Sequence, residues 1–305
     1  MTRDDMEQGK RRKKKRYYDY TLLFLVLFLV CFGLVMVFSV SYYNANKYYQ
    51  DPTLFLRKQA IFAVAGTALM VFISKIDYRI YMQKLPFLPV KPIFLLYFLC
   101  IGLQLYLVLF GETTGGSQRW IELGSFGKFQ PSEISKICVL LLTSYIVKLS
   151  PRRLNSIKGF IRVMAIMMPL IVLVVWENFS TALVMGVMMV AICFVASRNK
   201  KYYVMIALIL IIAAVLFIML FPYRLERIKI WQDIENHPKG YQILQGLYAI
   251  ASGGLFGKGL GQGVQKLGYI PEAHNDMIFS TICEELGLVG AFAVLFLFIL
   301  LLWRI

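Results

Sequence analysis

Residues 20–40 read YTLLFLVLFLVCFGLVMVFSV, twenty-one positions without a charge. A bilayer core about 30 Å thick needs about 20 mainly apolar helical residues, because a helix pairs its own backbone groups where no water can. The run is long enough to span and no small-residue cleavage site follows it, so it reads as a retained span rather than a signal peptide. Seven more apolar segments follow: Leu56 to Ile73, Pro92 to Phe110, Ile134 to Val147, Val163 to Trp176, Thr181 to Ala196, Val204 to Phe221 and Ile278 to Trp303. The fourth, fifth and sixth are short and need polar flanks at headgroup level or shielding by neighbouring helices. The predicted fold is an all-α polytopic membrane protein with eight transmembrane helices. Composition agrees: 59% hydrophobic and 16% charged over 305 residues, with mean hydropathy +0.65. A soluble domain carries about a quarter charged residues, and a disordered chain far less apolar content.

The formal net charge of +16 comes from 33 Lys and Arg against 17 Asp and Glu. Placed on the eight spans, the excess falls entirely on one side: in the arm of residues 1–19, after the second, fourth and sixth spans, and at Arg304. The 12 basic and 12 acidic residues left over cancel. By the positive-inside rule the basic side is cytoplasmic, and so are both termini. The arm (RDDMEQGKRRKKKR) is a topology determinant and a weak attractor for anionic lipid. It lacks interleaved aromatics, so nucleic acid is not an expected partner. Five cysteines without a CxxC pair give neither a disulfide framework nor a zinc site. The expected division is a basic cytoplasmic arm, 1–19, and a polytopic domain, 20–305. Extracytoplasmic loops lie at about 111–133 and, between spans seven and eight, at about 222–277.

Those two loops carry the polar chemistry. In the first, Arg119, Trp120, Gln130, Ser132, Glu133 and Lys136 stand out. Trp120 suits an interfacial anchor. Gln130-Pro131-Ser132-Glu133 reads as a helix start, with Pro131 at the first position or Ser132 as cap. Lys136 shares a face with Glu133, either as a structural ion pair or as an anion-binding cation. In the second loop, Gln242 to Ala251 is a short amphipathic helix with Ile243, Leu247 and Ile250 on one stripe. The run GGLFGKGLGQG follows, whose amides either contact a phosphate, helped by Lys258 and Lys266, or form a plain flexible turn. Pro271-Glu272-Ala273-His274-Asn275-Asp276 then opens the last span, with Glu284 and Glu285 two turns on. Ionisable groups at membrane depth are costly and point to function. Asp276 is a catalytic carboxylate, a helix cap or a dipole partner. Glu284 and Glu285 line a cavity or pair with a basic residue of another helix. Glu177-Asn178 is explained by an outer-surface turn.

Arg119-Trp120-Ile121, Gln130 to Lys136, Gly240-Tyr241-Gln242, the glycine run, and Pro271 to Asp276 followed by Glu284-Glu285-Leu286-Gly287 together resemble the SEDS family of polytopic peptidoglycan glycosyltransferases. The Pro-Glu-Ala-His run is similar to its FtsW/SpoVE-like branch. The resemblance runs from Tyr17 onward. It departs at Asn275, Met277, Gly263 and Glu177-Asn178, and in span count, since the family has ten spans and the last two are expected to be missing here.

The resemblance implies polymerisation of lipid II at the outer face of the cytoplasmic membrane, at the division septum, with release of undecaprenyl pyrophosphate. It makes Asp276 the essential acid, as general base or as ligand of a divalent cation (Mg or Mn); no organic cofactor is expected. Substrate contacts are expected from Arg119, Gln130, Glu133, Lys136, Lys258, Gly259, Gly261, Glu272 and His274. Implied partners are a class B penicillin-binding transpeptidase and other divisome membrane proteins. The alternatives are a lipid II flippase and a non-catalytic scaffold recruiting the transpeptidase. A flippase needs a polar path through the bilayer, whereas most non-glycine polar groups within these spans gather at their outer ends.

Overall fold

A computed structural model of the chain describes residues 18–84, 90–111, 119–122, 124, 128–220, 226, 229–237, 240–271 and 273–305. In order, its elements are α1 (Tyr20–Tyr49), α2 (Leu54–Ser74), α3 (Pro92–Phe110), β1 (Ile121–Glu122), β2 (Lys128–Phe129), α4 (Pro131–Leu149), α5 (Ile157–Glu177), α6 (Phe179–Ala196), α7 (Lys200–Leu220), α8 (Tyr241–Gly253) and α9 (Ile278–Arg304). Eight of these helices, all but α8, cover the eight predicted spans. Among the described residues six of them (α1, α2, α3, α5, α6 and α9) are long and apolar enough to cross a membrane by length and composition. Their outward faces are apolar too: on α2, which buries no residue, Ile61, Phe62, Val64 and Phe72 are 63–71% exposed. In water such a surface would drive association, while against lipid it is matched. The protein is a multi-pass membrane protein.

Element ends follow local chemistry. α1 runs past the predicted Val40 to Tyr49 and stops where Gln50 turns left-handed at φ 54°. α5 begins earlier than predicted because Ser156 caps it, its Oγ accepting from Gly159 N–H at 3.3 Å. Asn178 closes α5 by donating its N–H to Val174 C=O (2.7 Å) and opens α6 by accepting from Thr181 N–H (3.2 Å). One residue therefore does the work of a loop.

The chain divides into two compact units, Met1–Ser74 with Glu226–Ile305, and Lys75–Leu225. The second is a bundle of α3 to α7. Ile93, Tyr97, Cys100, Gln104 and Leu107 line one stripe of α3, and Val163, Met167, Leu170, Val174 and Glu177 one stripe of α5. Steps of three and four residues put one buried side chain on each turn, the seam geometry of packed helices.

In the first unit α1 and α9 run antiparallel. Arg304 Nε meets Asp19 Oδ2 at 2.7 Å at one end, and Ser39 meets Glu285 near the other. Asp19 also caps α1, and the bond from Leu22 N–H, with Arg304 beside it, holds its carboxyl below the usual carboxylate range. α8 packs on the first turns of α9 through Gly246, Ala249 and Gly253. The stripe of Ile243, Leu247 and Ile250 lies off this contact: Leu247 is 48% exposed, and Ile243 and Ile250 are half-buried. Small residues face the neighbouring helix because backbone contact excludes a side chain, and the apolar stripe is left for the hydrocarbon or interface.

A Cβ on Gly253 would overlap the Cys283 carbonyl, whereas a Cβ on Gly102 in α3 meets nothing within 4 Å. Gly253→Ala is expected to lower the thermal unfolding midpoint in detergent by several degrees, because backbone must move. Gly102→Ala is expected to leave the midpoint unchanged or raise it slightly, since alanine stiffens a helix by about 0.5–1 kcal/mol relative to glycine.

Candidate functional site

The last span is not one continuous helix. Gly287 sits at φ 68°, ψ −172°, and breaks α9 into residues 278–286 and 288–304. Such a break inside a membrane helix leaves backbone groups unpaired, which hydrocarbon does not tolerate. The glycine-rich segment supplies the partners. Lys258 and Gly259 N–H donate to the Glu284 and Glu285 carbonyls (both 2.9 Å), while Leu288 and Val289 N–H donate to the Gly254 (3.0 Å) and Leu255 (3.1 Å) carbonyls.

The two carboxylates at the break are held by the same segment. Glu284 accepts from Lys258 Nζ (2.7 Å) and from Val264 (2.9 Å) and Gln265 N–H (3.2 Å). Glu285 accepts from Lys266 Nζ, from Ser39 Oγ (2.8 Å) and from Gly261 N–H (3.1 Å). Both glutamates are 0% exposed and Lys266 is 4% exposed. The glycine run is thus neither a free turn nor an open anion cradle. Gly259 and Gly261 were expected as substrate contacts, yet their amides already bond Glu285. Lys258 is paired with Glu284 but keeps about a third of its side chain exposed.

Asp276 lies two residues before α9. Met277 is the cap position and no side chain caps it, so Asp276 is not an N-cap. Its carboxylate is exposed, and among the described residues it has no hydrogen-bond or ion-pair partner. Ala273, three residues earlier, is wholly buried against Val40, Ala249 and Ile270, which anchors the segment. His274 packs its ring 4.8 Å from Phe55 of α2. Gln242 Nε2 donates to the Pro271 carbonyl at 3.3 Å and ties α8 to the same segment. Glu272 lies outside the described residues.

In the second unit, β1 and β2 form an antiparallel ribbon pairing Ile121 with Phe129 and Glu122 with Lys128. The ribbon leads into α4, with Gln130 at the cap position, Pro131 first in the helix and Gln130 Nε2 donating to Ser132 Oγ (3.0 Å). Lys136 and Glu133 form an ion pair at 2.9 Å, the first of the two readings the sequence left open, with both side chains partly exposed. Arg119 is exposed ahead of the ribbon.

Sequence reasoning missed Gln104 and misplaced Glu177. Glu177 is buried, not part of a solvated turn. The Gln104 amide donates to both Glu177 carboxylate oxygens (2.7 Å), and its oxygen accepts from Ser135 Oγ (3.1 Å) and Ser132 N–H (3.2 Å) in the orientation that satisfies both ends. This cluster fixes the first turn of α4, from which Glu133 and Lys136 project. The signal was present as the lone amide in the apolar run of α3, an arrangement costly unless paired.

Among the described residues no three His, Cys, Asp or Glu side chains come together as a metal cage. Were a divalent cation to take part, Asp276 would be its candidate protein ligand, and the ion would supply charge to offset phosphate.

These features define a polytopic helical membrane protein whose last span is bent around a buried pair of glutamates below an exposed aspartate. The model of the FtsW/RodA/SpoVE cell cycle protein family matches residues 20–305, and the chain belongs to that family. It is 35% identical over 292 residues to the "Probable peptidoglycan glycosyltransferase FtsW" of Trichlorobacter lovleyi, covering 94% of this chain and 74% of that one. It is 33% identical over 296 residues to the stage V sporulation protein E of Bacillus subtilis, covering 95% and 79%. Among solved structures, that of a peptidoglycan synthase complex described as coordinating polymerization and crosslinking aligns with TM-score 0.70 at 24% identity, over 95% of this chain and 77% of that one. The rod shape determining protein RodA of Thermus thermophilus aligns with TM-score 0.61 at 22% identity, over 95% and 74%. The chain is an enzyme of the peptidoglycan glycosyltransferase class.

Removing one partner of a buried ion pair strands the other charge, at a cost of about 3–5 kcal/mol. Lys266→Met is therefore expected to destabilise the protein far more than Lys258→Met, whose site is partly solvated. Thermal unfolding in detergent, followed by tryptophan fluorescence, checks the order. Combining Lys266→Met with Glu285→Leu is expected to recover part of the loss.

Proposed function

We propose that this chain polymerises lipid II into glycan strands at the outer face of the cytoplasmic membrane during cell division, with its N-terminus inside. In the proposed reaction the 4-hydroxyl of one lipid-linked disaccharide attacks the anomeric carbon of another. The new C–O bond forms as the bond to pyrophosphate breaks, with inversion, and undecaprenyl pyrophosphate leaves. Asp276 takes the hydroxyl proton as general base. The observation that carries this assignment is the contrast among the acids around the last span. Glu284 and Glu285 are buried and saturated, while Asp276 is exposed and unpartnered among the described residues. A general base must reach the proton it removes.

Lys258, partly exposed beside Glu284, is the proposed contact of the first unit for a lipid pyrophosphate. Arg119 and Lys136, with Gln130 and Glu133, are the candidates carried by the second, and Glu272 and His274, which precede the base in the sequence, are further candidates. Fixed positive charge in a site of low dielectric stabilises a leaving phosphate far better than the same charge in water. The proposed partner is a class B penicillin-binding transpeptidase within the division machinery. The structurally similar synthase complex, which couples polymerization to crosslinking, supports that pairing.

The test uses the purified protein with its transpeptidase and labelled lipid II in detergent. Glycan strands are expected from the wild type, and Asp276→Asn is expected to lose at least about 10²-fold of the rate while keeping its unfolding midpoint. Full activity in that variant would overturn the assignment. Transfer of lipid II across liposomes without polymerisation would favour a flippase.

A further inference from the structure

At the end of α4 remote from the ribbon, an apolar cavity of about 230 Å³ lies between α3, α4 and α5, walled by Phe94, Ile146, Leu149, Leu154, Val163 and Ile166. A polar cavity of about 380 Å³ is lined by Ser156, Lys158, Gly159 and Arg162. Gly159 and Arg162 line both, so the polar surface pocket lies next to the apolar one. From this geometry we infer a binding site for one anionic phospholipid. Its headgroup phosphate sits between Lys158 and Arg162, and an acyl chain enters the slot.

The charge at this end of the bundle is not balanced by acidic residues nearby in the sequence. Lys158 and Arg162, four residues apart on α5, are both exposed, and among the described residues neither has an ion-pair partner. No acidic residue occurs anywhere between Glu133 and Glu177, a stretch that contains Lys136, Lys148, Arg152, Arg153, Lys158 and Arg162. Lys91 adds to the local charge, donating to the Tyr145 hydroxyl with its ammonium 5.0 Å from the ring centre, and Tyr145 itself lines the apolar slot. Basic pockets between membrane helices bind anionic lipid headgroups. A soluble phosphate would use the polar half and leave the slot empty. A lipid uses both halves. Hydrocarbon chains are equally at home in the bilayer, so the slot provides shape and residence while the headgroup charge provides selectivity. The inference rests on the membrane setting and is independent of Asp276 and of the reaction.

Native mass spectrometry of the full chain in neutral detergent tests it with three probes: dioleoyl phosphatidylglycerol, dioleoyl phosphatidylcholine and glycerol 3-phosphate. Phosphatidylglycerol is expected to bind at least about tenfold more tightly than phosphatidylcholine, glycerol 3-phosphate is expected not to be retained, and Lys158→Ala with Arg162→Ala is expected to abolish the headgroup preference. Leu149→Trp, at the exposed rim of the slot, is expected to lower occupancy by both lipids while keeping the preference. Equal binding of the two lipids, a preference that survives the double variant, or glycerol 3-phosphate held as firmly as lipid would each overturn the inference. If the double variant does not fold, the wild-type comparison of the two headgroups decides.

Discussion

Two buried carboxylates in the bend of the last span organise the first unit. A helix broken at membrane depth is unstable unless its freed backbone groups and any nearby charge are paired inside the protein. Here the segment from Gly253 to Lys266 does both. Its amides and carbonyls complete the broken helix, and its two lysines neutralise Glu284 and Glu285. The sequence of that segment follows from this task. Gly257 bonds back to Gly253, and a side chain at Gly257 would strike the Glu285 carbonyl, so the close approach of loop to helix requires glycine there.

The clamp also sets the acids apart by environment, Glu284 and Glu285 buried and Asp276 exposed. Lys266 and Ser39 hold Glu285 from the loop and from α1, joining elements 246 residues apart in the chain. Such a network restricts motion more than it adds net stability, since desolvating both charges offsets most of their attraction. The result is a firmly held first half of α9, the helix that follows the proposed base Asp276 in the chain, and a catalytic group gains from being held in one place. The second unit treats a carboxylate in a similar way. Glu177 accepts hydrogen bonds from Gln104 where Glu284 and Glu285 meet lysines, and the same amide fixes the first turn of α4.

Much of this was legible in the sequence. Eight apolar runs gave eight long helices, because hydrocarbon thickness sets a minimum length that local composition must meet. Gln130-Pro131-Ser132-Glu133 opened a helix, and Lys136 paired with Glu133, because partners three residues apart on a helix face each other. The role of the glycine run was not legible. Its amides looked available to a phosphate because nothing local showed that a helix would lie against them. Which face of α8 meets the protein was not legible either: in a membrane the most apolar stripe can face lipid, and small residues mark the protein contact.

The sequence by itself determined the class of fold, the places where polar chemistry concentrates and the family to which the chain belongs, since these follow from local hydropathy and from ordered motifs. Only the tertiary structure decided which charged groups are consumed in holding the fold and which are left to act. Glu284, Glu285, Asp276, Lys258 and Lys266 are all charged side chains within one stretch of the chain, and their residue types do not rank them. Burial and pairing do, and these depend on partners brought in from distant parts of the chain.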